Sequence, residues 1–312
     1  MIIVTGGAGF IGSNLIWGLN RMGYEDILVV DNLSQAEKHR NLNSLKIADF
    51  LDKENFLALL PKLDNVQTIF HQGACSSTTE TDGRYMMENN YQFSKTLLHH
   101  SLENKIDLLY ASSASVYGDG VAGFREERAC EWPLNVYAFS KFSFDNYVRQ
   151  RLSQASSQVL GLRYFNVYGP QENHKGKMAS VAFHLFSQLA HGQKMKLFAG
   201  SEGFRRDFIF VDDIVQMNLH FYQTKGSGIF NAGTGKARSF QDIATILQQL
   251  EPEGQIEIIP FPDHLRDKYQ EFTEADTRLL RKAGYEHPIT TLEDGIRQYY
   301  DLWKLTGGYR RE

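Results

Sequence analysis

Short apolar runs alternate with longer amphipathic segments through the first half of the chain. The apolar runs are "IIVTG", "DILVVD", "VQTIFHQGA", "IDLLYASSASVYG" and "SQVLGLRYFNVYG", and the segment from Phe10 to Met22 is of the amphipathic kind. Continuous apolar strands separated by helices are typical of a parallel sheet that is covered on both faces. The pattern predicts an α/β fold with a doubly wound parallel sheet, whose functional groups lie at the carboxyl ends of the strands.

The alternation becomes less regular after Asn166. A helix-like stretch covers Met178 to His191, "GFRRDFIFVDD" has the character of a basic loop, "GIFNAGTG" that of a short strand, and another helix begins at Phe240. We interpret this half as a smaller α/β lobe that binds the substrate. The predicted division is a first domain at 1–165, to which 205–233 return, and a second lobe formed by 166–204 and 234–312.

Composition favours a small-molecule partner. The 312 residues include 33 basic and 37 acidic side chains, for a net charge of -4, and neither sign forms a run that would indicate nucleic-acid or membrane-surface binding. The two cysteines, Cys75 and Cys130, lack the spacing of a disulfide framework or of a zinc site, so we predict no metal. A strand that starts at Ile2 leaves no room for a signal peptide, and no apolar run of about 18 residues follows; we therefore expect a cytoplasmic protein.

A glycine-rich turn joins the first predicted strand to the first predicted helix. In "VTGGAGFIGSN", Gly7, Gly9 and Gly12 satisfy G-x-G-x-x-G, and Gly6, Gly9 and Gly12 satisfy G-x-x-G-x-x-G. Either spacing allows a tight turn, a close approach of the backbone to a pyrophosphate, and a helix N-terminus that favours negative charge. In this strand-to-helix context the motif predicts a dinucleotide-binding domain of the Rossmann type.

The choice between NAD and NADP stays open at this point. Asp31 ends the second predicted strand, where an acidic side chain usually receives the ribose hydroxyls of NAD. Lys38, His39, Arg40 and Lys53 follow and could hold the 2′-phosphate of NADP, although the same residues could equally form a solvated surface.

Ser113, Tyr137 and Lys141 have the spacing of an acid/base group. Ser113 ends a predicted strand, and Tyr137 and Lys141 in "YAFSK" are one helical turn apart and share a helix face. A nearby cation favours the phenolate, so we expect Lys141 and a bound nicotinamide to lower the pKa of Tyr137 from about 10 towards 7. Tyr137 could then take the proton of a substrate hydroxyl while Ser113 holds its oxygen. Taken alone, the pair could be an ordinary amphipathic helix.

Together these motifs resemble the extended short-chain dehydrogenase/reductase family, the nucleotide-sugar epimerases and dehydratases. The resemblance rests on "TGGAGFIG", "ASSASVYG", "YAFSK", "RYFNVYGP" and "RDFIFVDD" and spans essentially the whole chain. It implies a tightly held nicotinamide cofactor and a nucleoside-diphosphate sugar in the second lobe.

Several stretches point to one branch of that family. Dehydratases carry acid and base carboxylic residues after the strand-end hydroxyl, where this chain has Ala114 and Ser115. "FHQGACSSTTE", "YMMENNYQFSK", "RYFNVYGPQENHKGKMASVAFHL" and "IPFPDHLRDKYQEFTEAD" resemble the branch that epimerises ADP-linked heptoses at C6 for the inner core of lipopolysaccharide. The resemblance implies transient oxidation to a 6-keto sugar, NADP in preference to NAD, and a homo-oligomer that in this branch is a pentamer. The alternatives are a UDP-hexose 4-epimerase and a cofactor-binding protein without catalysis.

The same resemblance implies the site residues. Lys175 becomes a second base beside Tyr137, whereas the bare sequence favours a solvated lysine. The residues implied to bind the cofactor are Gly6, Gly9, Phe10, Ile11, Gly12, Asp31, Asn32, Lys38, Lys53, Gln72, Gly73, Ala74, Cys75, Ser76, Asn89, Lys141, Val167 and Lys175. Those implied to bind the substrate are Ser113, Asn166, Lys177, His184, Phe198, Ala199, Gly200, Ser201, Arg206 and Tyr269.

Two residues depart from the family pattern. Gln72 stands where Glu is frequent, and Lys177 stands where a small hydroxyl residue is common. Lys177 either lowers the pKa of Lys175 through like charge or points to solvent.

Overall fold

The computed structural model describes residues 1–261 and 270–311, and these form twelve strands and ten α-helices. The strands are β1 Ile2–Thr5, β2 Ile27–Asp31, β3 Asp49–Asp52, β4 Thr68–His71, β5 Asp107–Ser113, β6 Val159–Tyr164, β7 Asn166–Tyr168, β8 Met195–Phe198, β9 Arg205–Phe210, β10 Gly228–Ala232, β11 Ala237–Ser239 and β12 Ile256–Ile259. The helices are α1 Phe10–Arg21, α2 Lys53–Leu59, α3 Gly83–Met86, α4 Phe93–Asn104, α5 Val136–Arg149, α6 Val181–Ala190, α7 Val211–Thr224, α8 Phe240–Leu250, α9 Arg278–Lys282 and α10 Leu292–Thr306.

A seven-stranded sheet in the order β10-β6-β5-β4-β1-β2-β3 forms the centre of the molecule. Every neighbouring pair is parallel, as in β1, where Val4 lies between Val29 of β2 and Phe70 of β4. Val4 packs on the side covered by α1 and α7, whereas Ile3 packs on the side covered by α2, α4 and α5. Because successive residues of a strand face opposite sides, such a strand must be apolar throughout, and the predicted doubly wound sheet is confirmed.

A second core lies beside this sheet. A small sheet in the order β11-β9-β7 and the parallel pair β12-β8 surround apolar residues from α6, α8 and α10, among them Phe186, Leu247 and Tyr299. The chain returns from β9 through α7, which packs on α1, to β10 at the edge of the main sheet. The second half of the chain therefore builds the second core and also adds a strand to the main sheet.

Two local predictions were wrong. "RRDFIF" within the expected basic loop is strand β9, because Asp207 is buried and accepts hydrogen bonds from Thr234, Gly235 and Ala275 of neighbouring segments. The helix expected from Met178 begins only at Val181, since Ser180 caps it through the amide of Phe183. The residues before it, Asn173–Met178, form a 3-10 segment.

A search of the described helices finds none with the length and apolar character needed to cross a bilayer.

Candidate functional site

A cleft of about 930 Å³ opens at the carboxyl ends of β1, β2, β4 and β5, between the main sheet and the second core. It is lined by every residue that the sequence analysis implied for the cofactor, and by Ser113, Tyr137, Lys141 and Lys175. Among the residues implied for the substrate, Asn166, Lys177 and Arg206 also line it. One cavity therefore gathers side chains that are distant in sequence.

The glycine turn forms one wall of the cleft. Gly6 has a φ of +68°, and a Cβ atom on Gly12 would lie 2.1 Å from the carbonyl oxygen of Gly6. Gly9 caps α1 without a side-chain hydrogen bond, which leaves amides of the first turn to an anion. A turn that only glycine can form, in front of an uncapped helix N-terminus, fits the pyrophosphate of a dinucleotide.

Asp31 and Lys38 form an ion pair in the same cleft. The Lys38 Nζ lies 2.6 Å from Asp31 Oδ1, and Asp31 also accepts hydrogen bonds from the amides of Ala8 and Asn32. The carboxylate is thus neutralised and occupied by donors, which weakens it as an acceptor for a ribose hydroxyl. Lys53, implied for the same end of the cofactor, donates to Asn89 Oδ1 at 2.8 Å.

Ser113 and Tyr137 meet at the end of β5. The hydroxyl of Ser113 accepts hydrogen bonds from the amide and the hydroxyl of Ser115, and its contact with Tyr137 favours the phenolate. Burial nevertheless raises the pKa of Tyr137 above 10, outweighing that contact. Burial is the dominant effect on the phenol of the chain by itself, and the lowering expected from Lys141 together with a bound nicotinamide stays a prediction.

Lys141 is buried, and its Nζ donates to the carbonyl oxygen of Ala111 at 2.7 Å. Burial lowers its pKa to about 8, against the opposing effect of the Asp145 carboxylate. The amine, one helical turn after Tyr137 on α5, is therefore poorly solvated, and a polar ligand in the cleft would give it an additional partner.

A buried ionic network supports this region. Asp145 accepts hydrogen bonds from Tyr110, Ser112 and Arg163, and Arg163 also pairs with Glu131. Arg163 and Glu131 have side chains with no solvent exposure. The sequence analysis missed this network, although an arginine inside the apolar run "VLGLRYF" and an acid one turn after Lys141 were available signals.

Lys175 lies on the 3-10 segment, with its Nζ 4.9 Å from the ring centroid of Phe10 at the start of α1. Burial lowers the pKa of its amine, and the nearby Glu172 carboxylate opposes this effect. Lys177 is exposed to solvent at the rim of the cleft. The pKa of Lys175 is therefore lowered by burial and not by the charge of Lys177. Of the two alternatives for Lys177, the side chain that faces solvent is the one observed.

Gln72 takes its partner from the main sheet. Its Oε1 accepts from the hydroxyl of Tyr164 at 2.9 Å, and that hydroxyl accepts from the amide of Asn218 at 3.0 Å. A glutamine suits this position because a carboxylate would place a buried negative charge beside a phenol whose pKa burial already raises to about 12.

The remaining substrate residues are dispersed. Arg206 is buried next to Phe240, with its Cζ 5.8 Å from the ring centroid. His184, Phe198, Ala199, Gly200 and Ser201 do not line the cleft as the described residues enclose it. Tyr269 lies outside the described residues. His174, which the sequence analysis did not single out, does line the cleft, and its position beside Lys175 was the signal available.

Comparison with known proteins gives a consistent result. The model of the "NAD dependent epimerase/dehydratase family" matches residues 2–233. The chain is 56% identical over 316 residues to the ADP-L-glycero-D-manno-heptose-6-epimerase of Brachyspira hyodysenteriae, and the match covers 99% of both chains.

Solved structures agree with that match. The crystal structure of the Helicobacter pylori ADP-L-glycero-D-manno-heptose-6-epimerase superposes with a TM-score of 0.85 at 32% identity, over 96% of this chain and 95% of that one. The UDP-glucose 4-epimerase of Thermotoga maritima, solved with UDP-glucose, gives a TM-score of 0.83 at 27% identity, over 98% and 99%.

Proposed function

Since the chain belongs to the NAD dependent epimerase/dehydratase family, we propose that it inverts C6 of the heptose in ADP-D-glycero-D-manno-heptose to give the L-glycero epimer. The observation that carries this proposal is that Tyr137 and Lys175, from separate elements, line one cleft in a chain similar over its full length to a heptose 6-epimerase. The product would serve the synthesis of lipopolysaccharide inner-core precursors.

NADP is the proposed cofactor, with NAD less favoured. The family description names NAD, and the pairing of Asp31 with Lys38 supports the finer choice because it removes a negative charge that would repel a 2′-phosphate. The glycine turn would hold the pyrophosphate, and Lys53 would add positive charge at the adenosine end. Such a cofactor would supply the hydride acceptor and donor for C6.

Two proton-transfer groups suit the two orientations of the substrate. Tyr137 would exchange a proton with the C6 oxygen in one orientation, while Ser113 holds that oxygen through its hydroxyl. Lys175 would exchange the proton in the other orientation, and burial lowers the pKa of its amine, which makes the neutral, basic form easier to reach. Arg206 is proposed to pair with the diphosphate of the substrate, together with Asn166, Lys177, His184, Phe198, Ala199, Gly200, Ser201 and Tyr269 around the nucleotide sugar.

Conversion of the purified ADP-heptose epimers tests the two-base arrangement. We expect Tyr137→Phe and Lys175→Ala each to lower kcat by about 100-fold or more, since each removes one proton-transfer group. Lys194→Ala, which changes an exposed lysine far along the chain, is the control and should keep the wild-type rate. Retention of wild-type rates by both active-site variants would overturn the mechanism.

Solvent deuterium tests how C6 is inverted. If the hydrogen of C6 leaves and returns as a hydride, the product formed in D₂O should contain no deuterium at that carbon. Mass spectrometry of the epimer would detect incorporation, and appreciable incorporation would indicate removal of C6–H as a proton instead.

The runner-up is a UDP-hexose 4-epimerase, favoured by the overall likeness to the Thermotoga maritima structure. Turnover of UDP-galactose alongside ADP-heptose discriminates between the two. A homo-oligomeric assembly, pentameric by resemblance, and a cytoplasmic location stay predictions, as does the division at 1–165 with 205–233 against 166–204 with 234–312. Light scattering of the purified protein tests the assembly.

A further inference from the structure

His174 lines the cleft that is proposed to hold the cofactor. It belongs to the 3-10 segment Asn173–Met178 and contacts Asn41, the last residue of the segment Ala36–Asn41 that carries Lys38. Lys38 and Lys175 are the cations that act on its ring, and Asp31 and Glu37 are the carboxylates. The ring therefore shares its cleft with the Asp31 and Lys38 pair.

The hydrogen bonds of Asn41 favour one of the two neutral tautomers of His174. The Nδ2 of Asn41 donates to the carbonyl oxygens of Ala8 at 3.0 Å and Gln171 at 3.2 Å, so the nitrogen of the amide, and not its oxygen, faces His174. The same Nδ2 lies 3.2 Å from His174 Nδ1. Both hydrogens of this amide are directed at carbonyl oxygens, so Nδ2 offers no acceptor to a hydrogen on Nδ1, and the tautomer with its hydrogen on Nε2 avoids two N–H groups facing each other.

The backbone on both sides of His174 is held in place. Glu172 is buried and accepts from the amide and hydroxyl of Ser180, and Asn173 donates its side-chain amide to the carbonyl oxygen of Gly307 at 2.8 Å. Within the part of the chain that the structure describes, Nε2 has no hydrogen-bond partner. A donor without a partner, in a cleft that Lys38 and Lys175 also line, is suited to an anionic ligand.

We propose that His174 is a specificity-determining residue that donates its Nε2–H to the 2′-phosphate of an NADP-type dinucleotide, beside Lys38. This inference rests on the proposed function in one respect, since it presumes that a 2′-phosphorylated cofactor binds the cleft. It adds a neutral donor to the lysines already implied, and it places cofactor selection next to Lys175 on the same short segment.

Two substitutions separate the roles of the two ring nitrogens. His174→Asn retains an acceptor near the position of Nδ1 and removes the donor at Nε2, whereas His174→Gln retains a donor near the position of Nε2. Calorimetric titration of the full-length protein, freed of nucleotide, with adenosine 2′,5′-bisphosphate and with adenosine 5′-monophosphate measures the contribution of the 2′-phosphate without any turnover.

We expect the loss of affinity to be confined to the variant that lacks a donor at Nε2 and to the ligand that carries a 2′-phosphate. His174→Asn should bind the bisphosphate about 10-fold more weakly and the monophosphate unchanged, because a hydrogen bond to a charged group is lost. His174→Gln should stay within about threefold of the wild type for both ligands. Equal losses for both ligands, unchanged affinity in His174→Asn, or an equally weakened His174→Gln would each overturn the donor role.

Titration of the wild-type protein distinguishes a failure of this inference from a failure of the proposed NADP cofactor on which it rests. If the wild type binds the two adenosine nucleotides equally, the proposed NADP cofactor is wrong and the role of His174 fails with it. If the wild type prefers the bisphosphate while His174→Asn does so to the same degree, only the role of His174 is overturned.

Discussion

Burial shifts the protonation of the side chains around the cleft towards their neutral forms. It lowers the pKa of Lys141 to about 8 and that of Lys175 from its ordinary value, and it raises the pKa of Tyr137. For the two amines this moves the pKa towards the working pH, where proton exchange with a substrate is most efficient, whereas for Tyr137 the effect of burial has to be offset by positive charge in the bound complex.

Burial also lowers the pKa of His71, which is not among the residues that line the cleft. Its ring, at the end of β4, contacts the Thr5 hydroxyl at 2.6 Å and the Ser94 hydroxyl at 2.8 Å, and burial followed by the charge of Lys141 lowers its pKa to about 3. The unfolded chain takes up a proton below pH 6.5 that the folded chain excludes. The contribution of His71 to stability is therefore complete above pH 6.5 and is lost as the pH falls towards 3.

We predict that His71→Gln flattens the dependence of stability on pH. Urea unfolding between pH 7.5 and 4.5 should show a slope lower than that of the wild type by up to about 1.4 kcal/mol per pH unit, the value for one proton. The readout is the slope and not the absolute stability, because the substitution also changes the contacts with the hydroxyls of Thr5 and Ser94. His191→Gln, at an exposed position, is the control, and parallel profiles for His71→Gln and the wild type would contradict the prediction.

Among single residues, the sequence analysis identified those whose positions follow from a motif. It missed those that only a tertiary contact brings together. Ser113, Tyr137 and Lys141 follow from a strand end and a helical spacing, and the structure brings them into one cleft. His174 and Asn41 meet only because two separate 3-10 segments approach each other, and no local pattern encodes that approach. Whether these residues act as proposed stays a prediction.

Among the elements, the main sheet was predictable because each of its core strands is apolar on both faces. β3 was missed, since "DFLD" lies at the sheet edge and half of it is charged. β9 was mistaken for a loop because Arg206 and Asp207 look like surface residues, yet both are buried in the fold. Charged residues that are buried through hydrogen bonds or ion pairs with distant segments are therefore assigned wrongly to the surface when only the hydrophobic pattern is used.

The glycine turn between β1 and α1 leads to a prediction about stability and cofactor binding. Gly12→Ala would push a Cβ atom against the carbonyl oxygen of Gly6, 2.1 Å away, and this contact is with backbone that cannot rotate aside. We expect a loss of about 2 kcal/mol in the free energy of unfolding and a clear loss of NADP affinity. Gly83→Ala is the matched control, since its nearest contact would be an ordinary 3.7 Å.

Urea unfolding with and without NADP separates the two effects of Gly12→Ala. At a fixed NADP concentration a bound ligand stabilises the folded chain more the tighter it binds, so the added stability from NADP should shrink in the variant and persist in Gly83→Ala. If Gly12→Ala unfolds at the wild-type urea concentration and gains as much from NADP, the turn does not have the tight geometry described.

In the whole molecule, residues 307–311 tie distant parts together. The guanidinium of Arg310 donates to Asn14 of α1, pairs with Asp212 of α7 and lies 3.9 Å from the ring centroid of Trp17. The hydroxyl of Tyr309 donates to Glu37, on the segment that carries Lys38. This short stretch therefore braces the glycine-turn helix and the Lys38 segment, a link between the chain's ends that sequence patterns do not show.

Arg310→Ala should weaken this brace while leaving the cleft residues themselves unchanged. Arg310 is buried, and its removal leaves Asp212 without its ion pair and Asn14 without a donor, so we expect a loss of about 2 kcal/mol in the free energy of unfolding. Because α1 begins at the glycine turn, NADP affinity should fall as well. Arg311→Ala, at the neighbouring exposed position, should change neither quantity. Urea unfolding and calorimetric NADP titration of the two variants give the measurement. Equal stability and affinity in Arg310→Ala and Arg311→Ala would show that residues 307–311 merely lie on the surface of an already rigid site.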